Sequence, residues 1–444
     1  MRRSRRRPDL LALLLAVTLM ASACAGGDDP SGAPDGPDGD AAPSADENDI
    51  NAVARDQLRE GGSLSWPLSQ LPPNFNSHEL DGALGDNAAV MGAMLLSPFD
   101  FDVAARPVLN TDFVESAELT ATEPQQVVTY RINPRATWYD GTPITVADFE
   151  AQWRALNGSD PAFKVASTQG YDKVESVARG SDDREVVVTF AEDYVDWRGL
   201  FSALYPASTN RDPAVFNDGW RGGPLTSAGP FRFDSLDRTA QTITLVRNER
   251  WWGEPAKLER IVFRVVDPDA QIDALANGEI DFIDVGSDVN KLERARTTPG
   301  IDLRRAAGPN FTHLTINGTS EVLSNVQVRR ALALAIDRQT IVQALLGPLD
   351  VPAEPLDNHI FMKNQQGYQD NTGDLGAHDP ERAEALLDEA GWTRAAAVRA
   401  RDGKELAIRF VIPSQVATSE QVAELVQGML ARVGMRVDIE AVPV

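Results

Sequence analysis

The chain has 444 residues, is 42% hydrophobic and 24% charged, and carries 33 Gly and 28 Pro; at roughly 100–200 residues per domain it holds a few globular domains and is neither fibrous nor disordered as a whole. It has 42 basic and 66 acidic residues, and because the first 23 residues hold five Arg and one Asp, the net charge of −24 becomes −28 over the remainder, which excludes nucleic-acid binding. The single Cys excludes intrachain disulfides and Cys-rich metal sites, and four His leave little for a His-based metal or catalytic centre.

In chain order, Arg2, Arg3, Arg5, Arg6 and Arg7 form a positive leader, followed by an uncharged apolar run over residues 10–23. Such a run rises about 21 Å as a helix, short of the roughly 30 Å hydrocarbon core, and so reads as a signal-peptide core rather than a membrane span. It ends Ala21-Ser22-Ala23-Cys24, small residues running into the only thiol. This resembles a bacterial lipobox, with Ala21 where Leu is usual. Cys24 is therefore the expected site of lipidation and first mature residue. Two or more acyl chains, at about 0.8 kcal/mol per buried methylene, would hold the protein on a bilayer. Residues 25–49 contain seven Asp, five Gly, five Ala and four Pro with no aromatic or β-branched residue. Such a stretch cannot offset chain entropy by burial, so residues 24–60 are expected to be a disordered tether.

Beyond Gly61-Gly62 the sequence predicts a mixed α/β globule. Leu64, Trp66 and Leu68 alternate as in a strand, and residues 127–132, 185–190, 241–246, 261–266 and 312–316 read as further strands. Helices are announced by their caps: Thr145 with Asp148 before 146–156, Asp267-Pro268 before a helix through 275, and Ser324 with Gln327 before 325–336. Asp337 begins a further helix ending at Gly347, Asp379-Pro380 precedes 381–390, and Thr418 with Gln421 precedes 419–433. Val422, Leu425, Val426, Met429, Leu430 and Val433 fall on one stripe of the last helix, and Val437, Ile439 and Ala441 follow at period two. Trp251-Trp252 is expected to staple a loop after a strand.

The sequence contains no GxSxG, GxxxxGK[ST], HExxH or helix-opening GxGxxG, and His78-Glu79 has Gly82 where a second zinc ligand would stand. His313, His359 and His378 are scattered. No nucleophile–base pair, cofactor site or metal site emerges, so catalysis is not expected.

Several segments together carry a resemblance. Gly61-Gly62-Ser63-Leu64 opens the globule; residues 136–148 read ATWYDGTPITVAD; residues 227–231 read SAGPF; residues 245–253 read LVRNERWWG. Gly278-Glu279-Ile280-Asp281, residues 328–338 (VRRALALAIDR) and residues 379–392, from DPERA to AGW, follow. In this order they are similar to the extracellular solute-binding proteins of family 5, the oligopeptide- and dipeptide-binding lipoproteins of bacterial ABC importers. The resemblance implies an α/β, two-lobed periplasmic-binding-protein-like fold, type II or cluster C, with an inserted subdomain. It places lobe I at 61–107 and 224–309, the subdomain at 108–223 and lobe II at 310–444. It further implies a monomer, anchored by lipid to the outer face of the cell membrane, that hands a peptide or other small solute to permease and ATPase subunits. Alternatives are a binder of sugar, opine or metal chelate, a ligand-sensing receptor, and, more remotely, an extracellular hydrolase. The ligand-binding residues implied are Asn76, Asp81, Gly82 and Ala83, all in one loop, with Asn317 at the entry to lobe II. Asp81 would accept from a peptide amine. Members of the family continue for about a hundred residues past the segment matching 434–437, so the C-terminal part of lobe II is expected to be missing.

Overall fold

The computed structural model describes residues 49, 51–102, 105–306, 311–349, 351–363, 365–394, 396–414 and 416–442. The leader, Cys24 and most of the expected tether lie outside them. The tether was expected to run through residue 60, but from 51 onward the chain lies on the globule. A 3₁₀ turn at Arg55–Gln57 sets Arg55 on the Glu254 carboxylate and the Pro255 carbonyl, and Glu60 meets Arg247 at 3.0 Å and Lys257 at 3.3 Å. The low-complexity composition stops near residue 49; beyond it, charged side chains find partners some two hundred residues away, which composition does not reveal.

Gly61 and Gly62, both at φ +85°, turn the chain into β1 (Ser63–Leu68). A long loop leads to α1 (Gly85–Gly92) and a short hairpin, β2 (Phe99–Phe101) with β3 (Pro107–Leu109). Then β4 (Val114–Ala121), β5 (Val127–Ile132), β6 (Val174–Arg179) and β7 (Glu185–Phe190) form an antiparallel sheet in the order β4-β5-β7-β6. The alternation is that of a half-buried sheet: Val128, Tyr130 and Ile132 on β5, and Val186, Val188 and Phe190 on β7, point inward. Helix α2 (Val146–Leu156) packs on this sheet, and the single turn α3 (Ala207–Asn210) packs on α2. β8 (Phe231–Asp237), β9 (Thr242–Arg247) and β10 (Arg260–Val265) complete the sheet begun by β1, in the order β1-β10-β9-β8. β1 and β10 are parallel, with Leu64 opposite Ile261 and Trp66 opposite Phe263. One apolar core runs through both sheets, joining Leu68, Leu245 and Phe263 to Tyr130, Phe149 and Phe201. Helices α4 (Gln271–Ala276) and α5 (Val289–Thr297) follow.

A second core forms farther along the chain from α6 (Val326–Ala335), α7 (Arg338–Leu346), α8 (Pro380–Glu389), β13 (Ala407–Pro413), α9 (Ala417–Arg432) and β14 (Arg436–Val442), with the small hairpin of β11 (Ala400–Arg401) and β12 (Lys404–Glu405) before β13. β13 and β14 are parallel, joined through α9, whose Val422, Val426, Met429 and Leu430 are buried as the stripe predicts. Three expectations are corrected here. Residues 312–316 pair with no strand among the described residues; only Leu314 packs on the second core. Alternation alone specifies a face, and a strand also needs a ladder partner. α6 is capped by Asn325, which accepts from Gln327 N–H at 2.8 Å, not by Ser324. α9 begins at Ala417 with Thr418 inside its first turn, because Val416 takes the extended cap conformation without a side-chain bond.

The segment 136–148 is structural. Trp138 N–H reaches the Thr142 carbonyl across Asp140-Gly141, with Gly141 at φ +91°. Thr145 and Asp148 then close a reciprocal capping box on α2. Trp251 and Trp252 pack against each other at 4.5 Å, and Trp252 Nε1 donates to the Asp112 carbonyl at 2.7 Å, tying the loop down as expected.

Candidate functional site

The loop from β1 to α1 leaves the sheet as Pro72-Pro73-Asn74-Phe75-Asn76-Ser77-His78-Glu79-Leu80-Asp81-Gly82-Ala83. Half of it is polar, yet Asn74, Asn76 and Glu79 are buried. A buried polar loop persists only if its groups find partners. Asn74 Nδ2 donates to Glu79 Oε2 at 2.9 Å and to the Asn217 carbonyl at 2.8 Å, while its Oδ1 accepts from Asn76 N–H. Asn76 Nδ2 donates to the Phe216 carbonyl at 2.9 Å and its Oδ1 accepts from His78 N–H. Tyr205 Oη donates to the Phe75 carbonyl at 2.7 Å and accepts from Ser77 N–H at 2.8 Å. The loop is thereby sewn to residues 203–220, and its far side joins residues 164–166 through Leu80 N–H to the Lys164 carbonyl and Ala166 N–H to the His78 carbonyl.

Gly82 is required at its position: a Cβ there would lie 2.0 Å from the Asn76 carbonyl oxygen and 2.9 Å from that of Asn74. Its own carbonyl accepts from Asn87 Nδ2 at 2.8 Å. Ala83 is exposed beside it. Asp81 is half exposed; its N–H donates to Glu79 Oε2, and its Oδ2 accepts from Arg221 Nη2 at 2.6 Å. Arg221 also reaches Asp218 at 2.9 Å, and these carboxylates, Asp81 foremost, hold its guanidinium above its ordinary pKa. Glu79 keeps one carboxylate oxygen, Oε1, without a partner among the described residues.

The loop therefore gathers Asn76, Asp81, Gly82 and Ala83, in different roles. Asn76 has both side-chain atoms engaged in holding the loop. Asp81 offers its Oδ1 to a cation and already shares Oδ2 with Arg221. Asn317 stands apart: it is exposed, and its Oδ1 accepts from Thr319 N–H and Oγ1 at 3.0 and 2.7 Å, forming a side-chain-closed turn. Sequence reasoning missed Glu79 and Arg221. No local signal marks Arg221, since its partner lies 140 positions away. Among the described residues no three His, Cys, Asp or Glu side chains converge to hold a metal ion.

Comparison with known proteins places this geometry in context. Residues 109–444 match the family model described as bacterial extracellular solute-binding proteins, family 5 Middle. The chain is 43% identical over 411 residues to the oligopeptide-binding protein OppA of Mycobacterium tuberculosis, a match covering 90% of this chain and 69% of that one. It is 30% identical over 278 residues to a probable monoacyl phosphatidylinositol tetramannoside-binding protein, LpqW, of the same species, covering 61% of this chain and 43% of that one. Among solved structures, the periplasmic EDTA-binding protein EppA superposes with a TM-score of 0.72 at 29% identity, covering 87% of this chain and 74% of that one. The oligopeptide-binding protein AppA of Bacillus subtilis, in complex with a nonapeptide, gives 0.67 at 20% identity, with 87% and 75% covered, a likeness of fold alone.

Proposed function

Since the chain belongs to the bacterial extracellular solute-binding proteins of family 5, and with that family has a two-lobed α/β fold, we propose that it is the extracytoplasmic capture component of an ABC importer for peptides. The 43% identity to an oligopeptide-binding protein across 90% of the chain carries this reading. In it, residues 61–107 and 224–309 form lobe I, 108–223 its inserted subdomain and 310–444 lobe II. An extended peptide lies between the lobes, its main chain held much as an added strand would be, so that side chains are admitted without being read. Asp81 stands beside the peptide amine. Closure of the lobes is a hinge motion that presents the loaded form to the permease. The acyl chains on Cys24 keep the protein at the membrane surface.

Asp81 can serve an amine without losing Arg221, because among the described residues nothing bonds to its Oδ1, while Oδ2 holds the guanidinium. Titration calorimetry with short peptides and their N-acetylated counterparts tests this. Asp81→Ala is expected to weaken the free-amine peptides by roughly tenfold, the cost of one charge-assisted hydrogen bond, and to leave the acetylated ones nearly unchanged. Equal loss for both would remove Asp81 from the amine site. Failure of every peptide to bind would overturn the peptide reading. A second reading, capture of a small chelate-like solute, is favoured by one observation: the EDTA-binding protein is more similar here, in both identity and TM-score, than the nonapeptide-bound one. Mass spectrometry of solute co-purified with the protein separates the two.

A further inference from the structure

Three latches join the stretch before β1 to segments far along the chain. Asp49 Oδ1 accepts from Arg304 Nη1 at 2.7 Å, and its N–H donates to the Arg305 carbonyl at 2.8 Å. Arg55 pairs with the Glu254 carboxylate and donates to the Pro255 carbonyl. Glu60 spans Arg247 and Lys257 at 3.0 and 3.3 Å. Between the latches nothing is buried: of residues 51–60 only Arg55 is partly covered, and even Val53 and Leu58 are exposed. The one 3₁₀ turn inside is closed by Gln57 N–H to the Ala54 carbonyl and Leu58 N–H to that of Arg55. A segment with no apolar burial lies at the low end of local stability, and what opposes its chain entropy here is charge. Exposed ion pairs weaken as salt shortens the screening length, from about 10 Å at 0.1 M to about 3 Å at 1 M.

The receiving groups keep their places without this stretch. Arg247 donates to the Leu258 and Lys257 carbonyls at 3.1 and 2.7 Å. The Glu254 carbonyl accepts from Trp251 Nε1 at 3.1 Å, and Arg304 has Asp302 at 3.3 Å as a second partner. The far end is fixed as well. Gly61 N–H donates to the Lys257 carbonyl and the Gly62 carbonyl accepts from Glu259 N–H, both at 2.9 Å. Motion therefore stops at Gly61-Gly62, whose positive φ angles suit a pivot.

We propose that the stretch from Asp49 to Glu60 is a strap held by charge, which closes on the body at low ionic strength and swings out from Gly61-Gly62 as ionic strength rises. Closed, the chain leaves the body at Asp49; open, it leaves at Glu60, which adds roughly twelve residues, or about 40 Å when fully extended, to the tether. That gain in reach rests on the anchor proposed at Cys24. The release itself does not.

A nitroxide at Val53→Cys reads the strap in the full chain carrying Cys24→Ser, so that the label has one thiol to react with and the result is independent of the anchor. Electron paramagnetic resonance separates a held from a mobile fraction. Between about 0.05 and 1 M NaCl the mobile-to-held ratio is expected to rise roughly tenfold, whereas sucrose at equal osmolality leaves it as it was. At the lower salt, Asp49→Asn and Glu60→Gln should each raise the ratio roughly threefold, the worth of one exposed ion pair. Arg304→Asp should do the same, and adding Asp49→Arg to it should close the strap again. A label at Leu119→Cys on β4 reports the body and should not respond to salt. A ratio that ignores salt, a strap mobile at every salt, latch variants indistinguishable from the parent, or a Leu119 label that changes in step would each overturn the proposal.

Discussion

Burial lowers the pKa of His78 to about 4 from its ordinary 6.5, against the opposing pull of the Ala203 and Ser202 carbonyls. The ring lies edge-on to Tyr205, and its Nε2 meets the Ala203 carbonyl at 3.1 Å, so Nε2 carries the proton of a neutral imidazole. The sign follows: above pH 6.5 both folded and unfolded chains hold a neutral His78, and its full contribution is present. As the pH falls from 6.5 towards 4, the unfolded chain takes up a proton that the folded one refuses, and stability drops by roughly 1.4 kcal/mol per pH unit. His78→Gln keeps a donor for Ala203 without titrating. Urea unfolding at about pH 7, 5.5 and 4.5 should therefore show the wild type losing more stability than the variant. Parallel losses would disprove it. None of this was legible beforehand. The sequence shows His78 as one of four scattered histidines, and its character comes from residues 125 positions away.

Capping at the start of α2 was legible, because both partners of the box sit three residues apart and the exchange is local. Asp148 does more than cap. Its Oδ2 accepts from Thr145 N–H at 2.8 Å, and its Oδ1 accepts from Ala207 N–H at 2.8 Å and from Trp138 Nε1 at 3.3 Å. One carboxylate therefore joins the turn before α2, the helix itself and α3. Burial raises its pKa, the hydrogen bonds opposing. Asp148→Ala should cost about 3–5 kcal/mol, a lost cap plus two buried donors left unpaired. Asp148→Asn retains an acceptor for Ala207 and Trp138 but turns a donor towards Thr145 N–H, and should cost about 1–2 kcal/mol. Urea midpoints rank the two, and an Asn variant as damaged as the Ala variant would refute the division of labour. The same contrast explains the elements misread. Asn325 and Ser324 are equally good caps by composition, and only the backbone conformation selects between them. Residues 312–316 carry a strand pattern, and no local rule says whether a neighbouring strand will meet it.

At the scale of the molecule, the order of motifs along the chain revealed the family, because those motifs are the turns, caps and staples that fix the fold. The candidate site was legible only as a loop. Asn76, Asp81, Gly82 and Ala83 are consecutive enough to be found together, whereas Arg221 and the carbonyls that hold the loop arrive through the fold. The proposed anchor is tested at this scale as well: Cys24→Ser should move the protein from the membrane fraction to the soluble one, and retention on membranes would refute lipidation at that residue. The network around Asn74, Asn76 and Glu79 has a thermodynamic consequence for whatever binds beside it. A wall already tied by buried hydrogen bonds, with a glycine packed against its carbonyls, has little conformational entropy left to lose. Ordering on capture then falls mainly on the ligand, where each immobilised flexible side chain costs about 0.5–1.5 kcal/mol. Stiff solutes gain from such a surface more than supple ones of the same chemistry.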